Sequence, residues 1–295
     1  MFSVMLRDKM AFAGLIIIAL LFFAAIFAPL LAPHDPEPTS LSHRLLPPGG
    51  EYPLGTDHLG RCLLSRLLFG ARETLKYTLI VQAVVLIIGI PAGLAAGYFG
   101  GWADSLLMRV ADIILAFPNI ILAIAIAGIL GPGLFNVMLA LAIVSWVGYA
   151  RVVRGMVLSL KEKEFILAAR TCGTSTGNIL TRHLLPNVMP PVMVLATLNM
   201  GSLILSISTL SFLGLGAQPP SPEWGAMIND ARTFMHSEPR LMLLPGTATA
   251  LTVLGFNLLG DGIRDILDPR GLTRQGNTPK ITKKEKGKEL IGSNG

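Results

Sequence analysis

Asp112 is the residue from which any chemistry has to be argued first. It lies well inside a long apolar run, and an ionisable group in such a run is expensive enough to be a functional candidate by default. Arg109 stands three residues earlier, so the expected arrangement is an intrahelical ion pair, with a place along a solute path as the other reading. Asn119 follows Pro118 and is expected to line a kinked interior. Thr197, Asn199, Ser202, Ser206, Ser208 and Thr209 make a later apolar run the most polar of its kind. Such a polar face suits either a translocation path or hydrogen bonds between packed helices, and the residues alone leave both open. Trp146 and Tyr149 are read as core or interface-belt residues rather than ligand contacts.

Enzyme chemistry finds little to stand on. There is no G-x-x-x-x-G-K-[ST] stretch for nucleotide phosphates and no H-E-x-x-H for zinc. The five histidines are scattered, and Cys62 and Cys172 form no metal-ligand cluster. Asp57, His58 and Ser65 contain the residue types of a triad, but nothing in their spacing positions them as one. A membrane enzyme would need paired aspartates or a Ser/His pair inside apolar runs, and Asp112 is alone.

The elements that must hold these residues follow from composition. Of 295 residues, 52% are hydrophobic and only 14% charged, and mean hydropathy is +0.62. A soluble domain of this length needs more polar surface than that, since about a quarter of residues are ordinarily charged. A bilayer-spanning helix takes about 20 apolar residues. Six stretches qualify: 10–31, 74–98, 105–130, 134–157, 187–216 and 241–263. The fold class is therefore all-α integral membrane with six transmembrane helices. A soluble enzyme, a disulfide-rich secreted domain and a disordered chain are excluded.

The first run is too long for a signal peptide and reads as an uncleaved span. It and the external segment after it make a first region, residues 1–73, in which 59–68 reads as a short amphipathic helix. Residues 74–263 form the core of five further spans, and 264–295 a basic tail with eight Lys/Arg against four Asp/Glu. Positive residues concentrate in the loop 158–186 (Lys161, Lys163, Arg170, Arg182), which places that loop and both termini in the cytoplasm. Arg44, Arg61, Arg66 and Arg72 in the first outer segment run against this rule. The net charge of +6 is explained by inner loops and tail, with membrane lipid as the contact for the tail and no nucleic acid implied.

The loop 158–186 is the most informative stretch. Helix formers run from Lys161 to Cys172 and Gly173 stops them. Phe165, Ala168, Ala169 and Cys172 fall on one helical face, which fits either a groove on a partner or the membrane surface. A shorter helix is expected in the outer loop 218–240, carrying Trp224, Met227, Ile228, Ala231 and Met235.

The inner loop resembles the "EAA" loop of ABC importer permeases, E-A-A-x3-G-x9-I-x-L-P. Ala168, Ala169, Gly173 and Leu185-Pro186 match, while Leu167 and His183 replace the pattern's Glu and Ile. Glu164-Phe165, Ala168-Ala169-Arg170 and Arg182 to Asn187 fit the version written by the dipeptide, oligopeptide and nickel branch. Gly55 to Arg61 with Ser65-Arg66 resembles that branch's G-T-D-x-x-G-R-D-x-x-S-R signature, with Cys62 where the branch has Asp. Ser211 to Gly216 with Pro222 to Gly225, and Asn257 to Asp265 with Leu267 to Arg270, resemble it too. The likeness covers residues 10–272.

The resemblance implies a type I importer permease fold, of the second-permease type, and no enzyme activity in this chain. ATP and magnesium would be bound by a separate ATPase, so no cofactor is expected here. Glu164, Phe165, Ala168, Ala169, Arg170, Gly173, Leu185 and Pro186 would couple the chain to one or two cytoplasmic ATPase subunits. A different second permease would complete the path, for which Asp112, Asn119, Thr197, Asn199, Ser202 and Ser206 are candidates. Trp224, Met227 and Asn229 would meet an extracellular or periplasmic binding protein. The location implied is the inner cell membrane. The solute implied is nickel, its chelates, or di- and oligopeptides. Val194 to Leu198 and Glu223 to Arg232 resemble nickel-type permeases slightly more. A passive channel, the remaining alternative, has no use for a docking helix.

Overall fold

A computed structural model describes residues 9–267. The basic tail beyond residue 267, with the Asp268-Pro269-Arg270 motif, lies outside the described residues. The described chain is helical, with one isolated bridge between Thr56 and Cys62. Nine helices matter here: α1 Lys9–Ile26, α2 Leu63–Phe99, α3 Gly101–Leu115, α4 Asn119–Leu130, α5 Leu134–Leu160, α6 Glu164–Thr171, α7 Leu185–Phe212, α8 Trp224–Ala231 and α9 Arg240–Leu267. Five are long and apolar enough to cross a bilayer, and α3 with α4 makes a sixth span bent by 89°.

The third expected span is therefore two helices. Pro118 has no N–H to give and disfavours helix at Phe117, so the chain breaks where sequence predicted only a kink. The second expected span also differs. It begins at Leu63 rather than Thr74, so the boundary at residue 73 falls inside one continuous helix, and no separate helix covers 59–68. Arg66, Arg72 and Glu73 interrupt the hydropathy of that helix but not its backbone. At ~1.5 Å rise per residue the 37 residues of α2 reach roughly 55 Å, well beyond the ~30 Å hydrocarbon layer.

Two cores result. One joins α2, α5 and α7 through Val81, Val85, Leu94, Val144, Val153 and Ile207. The other joins α1, α9, α8 and the start of α2 through Ile18, Leu63, Leu75, Trp224 and Phe256. The α2–α5 contact is the most extensive in the chain, and its cause is a stripe of small residues. Gly89, Gly93 and Gly97 repeat every fourth position of α2, and a Cβ on Gly93 would stand 2.5 Å from the Ala150 carbonyl oxygen. Without side chains there, the two backbones close directly on each other.

Candidate functional site

Three places carry most of the predicted site residues. The first is α6, against the far end of α2. Lys163 holds the N-cap position and Gly173 turns the chain out at φ +76. Gly173 N–H donates to Arg170 O (3.0 Å) and Thr174 N–H to Ala169 O (3.0 Å), the paired closure that a left-handed glycine permits. The expected helix thus forms, three residues shorter at its start. Ile166, which the sequence reading passed over, is fully buried and belongs to the same core as Val157, Ile179 and Leu184, with α6 packed on the 179–184 stretch. Phe165 and Leu167 on either side are as apolar and yet exposed, so the sequence held no signal that singled it out. The opposite side presents Glu164, Phe165 (44% exposed) and Ala168, with Ala169 half-buried. Arg170 lies over the Tyr98 ring, 4.9 Å from its centroid, and Lys161 Nζ donates to Gly97 O (3.2 Å). Both residues fix α6 to the end of α2. A six-residue π-helical stretch, Ile179–Leu184, leads into α7, where Leu185 is half-buried and Pro186 exposed.

The second place is a cavity of about 290 Å³ between α2, the α3–α4 break, α5 and α7. Asn119, Asn199, Ser202 and Ser206 all line it, as do Gln82, Ser145 and Tyr149. At its floor, Gln82 Nε2 donates to Tyr149 Oη (3.0 Å) and Asn199 Nδ2 donates to the same oxygen (2.9 Å). Three helices are joined there by one phenol. Gln82 was missed because a single amide in an apolar run carries no pattern. Tyr149 was read as core or belt, and it is buried, yet its hydroxyl faces the cavity groups. Thr197 does not reach the cavity: its hydroxyl bonds back to Met193 O (3.0 Å).

Asp112 does not reach it either. Its carboxylate pairs with Arg151 of α5 rather than with Arg109. The cause is the register of α3, which runs antiparallel to α5, so that Asp104 meets Arg154 (Nη2 to Oδ2, 2.6 Å) and Asp112 meets Arg151 further along. The Arg154 guanidinium beside Asp104 holds that pair together at the end nearer α6.

The third place is the opposite end of the bundle, around the start of α2. Asp57 is the hub. It accepts from Leu59 N–H and Arg61 N–H (both 2.9 Å), forms an ion pair with Arg61 Nε (2.6 Å), and lies 3.5 Å from Arg66 Nε. Arg66 also donates to the carbonyls of Pro36 (3.3 Å) and Pro220 (3.2 Å), and Arg61 approaches Asp230 of α8 (3.6 Å). Gly60 at φ +78 packs on the Ser40 backbone where a Cβ could not fit. The Gly-Thr-Asp signature is thus a structural knot that ties the 32–62 segment to α2 and α8. Cys62 is buried beside it with no carboxylate role to fill.

Glu223 caps α8, accepting from Gly225 N–H (3.0 Å) and Ala226 N–H (2.9 Å), with Thr74 Oγ1 donating from α2 (3.4 Å). Burial raises its pKa above the usual carboxylate range, against the backbone hydrogen bonds that lower it. Trp224 and Met227, expected to face a partner, are 1% and 4% exposed. Trp224 Nε1 donates to Leu67 O (3.0 Å), so both residues seat α8 on the bundle, because its apolar face finds a core within the chain. Asn229 stays partly exposed.

Comparison with known proteins agrees with this architecture. Residues 89–271 match the family model described as binding-protein-dependent transport system inner membrane component. Residues 1–48 match the N-terminal TM domain of oligopeptide transport permease C. The dipeptide transport system permease protein of Alkalihalophilus pseudofirmus is 48% identical over 91% of this chain and 88% of its own length. The nickel transport system permease protein of Escherichia coli is 44% identical, over 88% of this chain and 94% of its own. A glutathione transport system permease protein of Pectobacterium atrosepticum is 45% identical, covering 90% and 88%. Among solved structures, the inward-facing MetNI methionine ABC transporter matches with a TM-score of 0.54 over 68% of this chain and 96% of that one, at 20% identity. That likeness identifies the fold as the type I importer permease fold. With more than half its length matched by the family model, the chain belongs to the inner-membrane components of binding-protein-dependent transport systems, as a permease subunit of an ABC importer.

Proposed function

We propose that this permease forms one half of a solute path in the inner membrane, beside a different second permease, and imports di- or oligopeptides or nickel with energy from one or two cytoplasmic ATPase subunits. The α6 end of the bundle, with both termini, faces the cytoplasm, and the α8 end faces the binding protein. The exposed side of α6 carries the reading: an eight-residue helix whose one buried side chain is Ile166, and which Arg170 and Lys161 tie to the end of α2, offers Glu164, Phe165 and Ala168 to a groove. A helix held this way moves as a unit with α5 and α7, so a push from the ATPase reaches the helices around the cavity. Arg170 and Gly173 shape α6 more than they meet a partner. Nucleotide and magnesium belong to the ATPase, and the chain acts by opening and closing rather than by catalysis.

The solute classes come from the relatives, whose names state dipeptide, nickel and glutathione transport. Asn229 and the exposed residues around it are the binding-protein contact. The test is Ala168→Arg, which sets a charged chain on the docking side without touching the bundle core. Co-purification of the ATPase and solute uptake should both be lost while the permease stays in the membrane. Normal uptake by this variant would sink the coupling role of α6.

A further inference from the structure

The cavity between α2, α5 and α7 has a chemistry of its own. Its lining holds no carboxylate, imidazole, thiol or thioether among the described residues. Divalent nickel prefers nitrogen or sulfur ligands, and a dication without fixed counter-charge pays heavily for leaving water. The groups present are neutral donors and acceptors. Asn199 spends Nδ2 on Tyr149 Oη, and its Oδ1 has no partner among the described residues. The Asn119 side-chain amide and the Ser202 hydroxyl line the same space and are likewise unpaired within the described chain. Asn119 and Ser202 are exposed and Asn199 is half-buried, so all three groups are open to whatever enters the cavity.

A peptide unit carries one N–H donor and one C=O acceptor. The Asn199 carbonyl, the Asn119 amide and the Ser202 hydroxyl match that pair. The volume of about 290 Å³ lies near the low end of small-molecule sites, which run from about 300 to 1,000 Å³. It suits one peptide unit with its flanking side chains.

We propose that this cavity is a contact site for the solute inside the membrane, and that it recognises the peptide bond rather than a bare metal ion. The proposal deepens the importer reading above and rests on it. The Gln82–Tyr149–Asn199 floor orients the free amide oxygen of Asn199, and Asn119 and Ser202 engage the solute from the rim. Tyr149 positions Asn199 and does not itself need to touch the solute. Nickel would pass only inside an organic chelate that presents amide-like groups.

The experiment uses the complete transporter in proteoliposomes with saturating loaded binding protein. Three solutes are compared: a labelled dipeptide, its ester analogue in which oxygen replaces the peptide N–H, and radioactive nickel as free ion. The wild-type complex should move the dipeptide about three- to tenfold faster than the ester, the worth of one neutral hydrogen bond. Asn199→Leu should slow the dipeptide by a similar factor and erase its advantage over the ester. Tyr149→Phe, which keeps the ring and removes the orienting oxygen, should do so partially. A structural defect would slow both solutes alike and leave the ratio intact. Equal slowing, or none, would overturn the site. Fast transport of free nickel with no dipeptide movement would overturn the solute class while leaving the importer reading in place. A wild-type complex that hydrolysed ATP and moved none of these solutes would overturn both.

Discussion

Gly93 is the sharpest place to perturb the fold, because its backbone contact sets the distance between α2 and α5. A Cβ at this position would stand 2.5 Å from the Ala150 carbonyl oxygen and 2.6 Å from Val153 Cβ. The nearer atom belongs to a backbone and cannot rotate away, so Gly93→Ala forces the helices apart. Overpacking of this kind costs about 1–3 kcal/mol. Alanine returns about 0.5–1 kcal/mol through its better helix preference. The net loss is up to about 2.5 kcal/mol, and toward the upper part of that range here because the clash is with backbone. Gly155 on α5 is the control: nothing lies within 4 Å of its Cβ position, so Gly155→Ala collects the helix gain alone. For domains of 150–250 residues, 1 kcal/mol moves the midpoint by about 2–4 °C. Thermal unfolding of the purified transporter should therefore fall by a few degrees for Gly93→Ala and hold or rise for Gly155→Ala. The Gln82–Tyr149 hydrogen bond crosses the same helix pair, so uptake should fall with the first variant as well. If Gly93→Ala melted at the wild-type temperature, or both variants lost stability equally, direct backbone packing would not be what holds α2 to α5.

Asp57→Asn leaves Arg61 and Arg66 buried beside a neutral amide; breaking a buried pair costs about 3–5 kcal/mol, at the low end here because Asp230 remains near Arg61. Limited proteolysis should then cut within residues 32–62 faster than in the parent. Ile166→Ala removes the sole buried side chain of α6, a loss of about 2–4 kcal/mol for a core truncation. Hydrogen exchange should rise across residues 161–174 and uptake should drop, with the melting of the bundle little moved. Glu223 titrates with a raised pKa when folded, so its contribution to stability is present below the unfolded value near 4.5 and is lost as pH rises through the folded value. Melting temperatures measured upward from pH 4.5 should show this decline in the parent and lose it in Glu223→Gln, and an identical slope in both would assign the pH dependence to other groups.

What the sequence made legible, and what it hid, divides along one physical line. Hydropathy is a sum over a window, so it located the spans, and a strong stop such as Gly173 located the end of α6. Pairing is a property of two distant positions, and no window contains it. Arg109 was the expected partner of Asp112 because it lies in the same window; Arg151, 39 residues on, takes the carboxylate because α3 folds back along α5. The same holds for Trp224, whose type suggested a partner surface and whose indole instead reaches Leu67, 157 residues earlier. Hydropathy placed the start of α2 too late for a related reason: Arg66 reads as a break in an apolar run, yet Asp57 neutralises it from outside the helix. The cavity shows the limit most clearly. Asn119, Asn199, Ser202 and Ser206 each stood out as polar groups in apolar surroundings, while of the two residues at the floor with Asn199, Gln82 was passed over and Tyr149 was read as core or interface belt. A polar residue on a helix that must cross lipid is visible from sequence when it repeats along one face, and invisible when its reason is a single hydrogen bond to another helix. The three-way contact at Tyr149 Oη is of the second kind. Asn199 therefore has to be tested as a member of that contact, with Tyr149→Phe beside it, and not as one more serine-like position along α7.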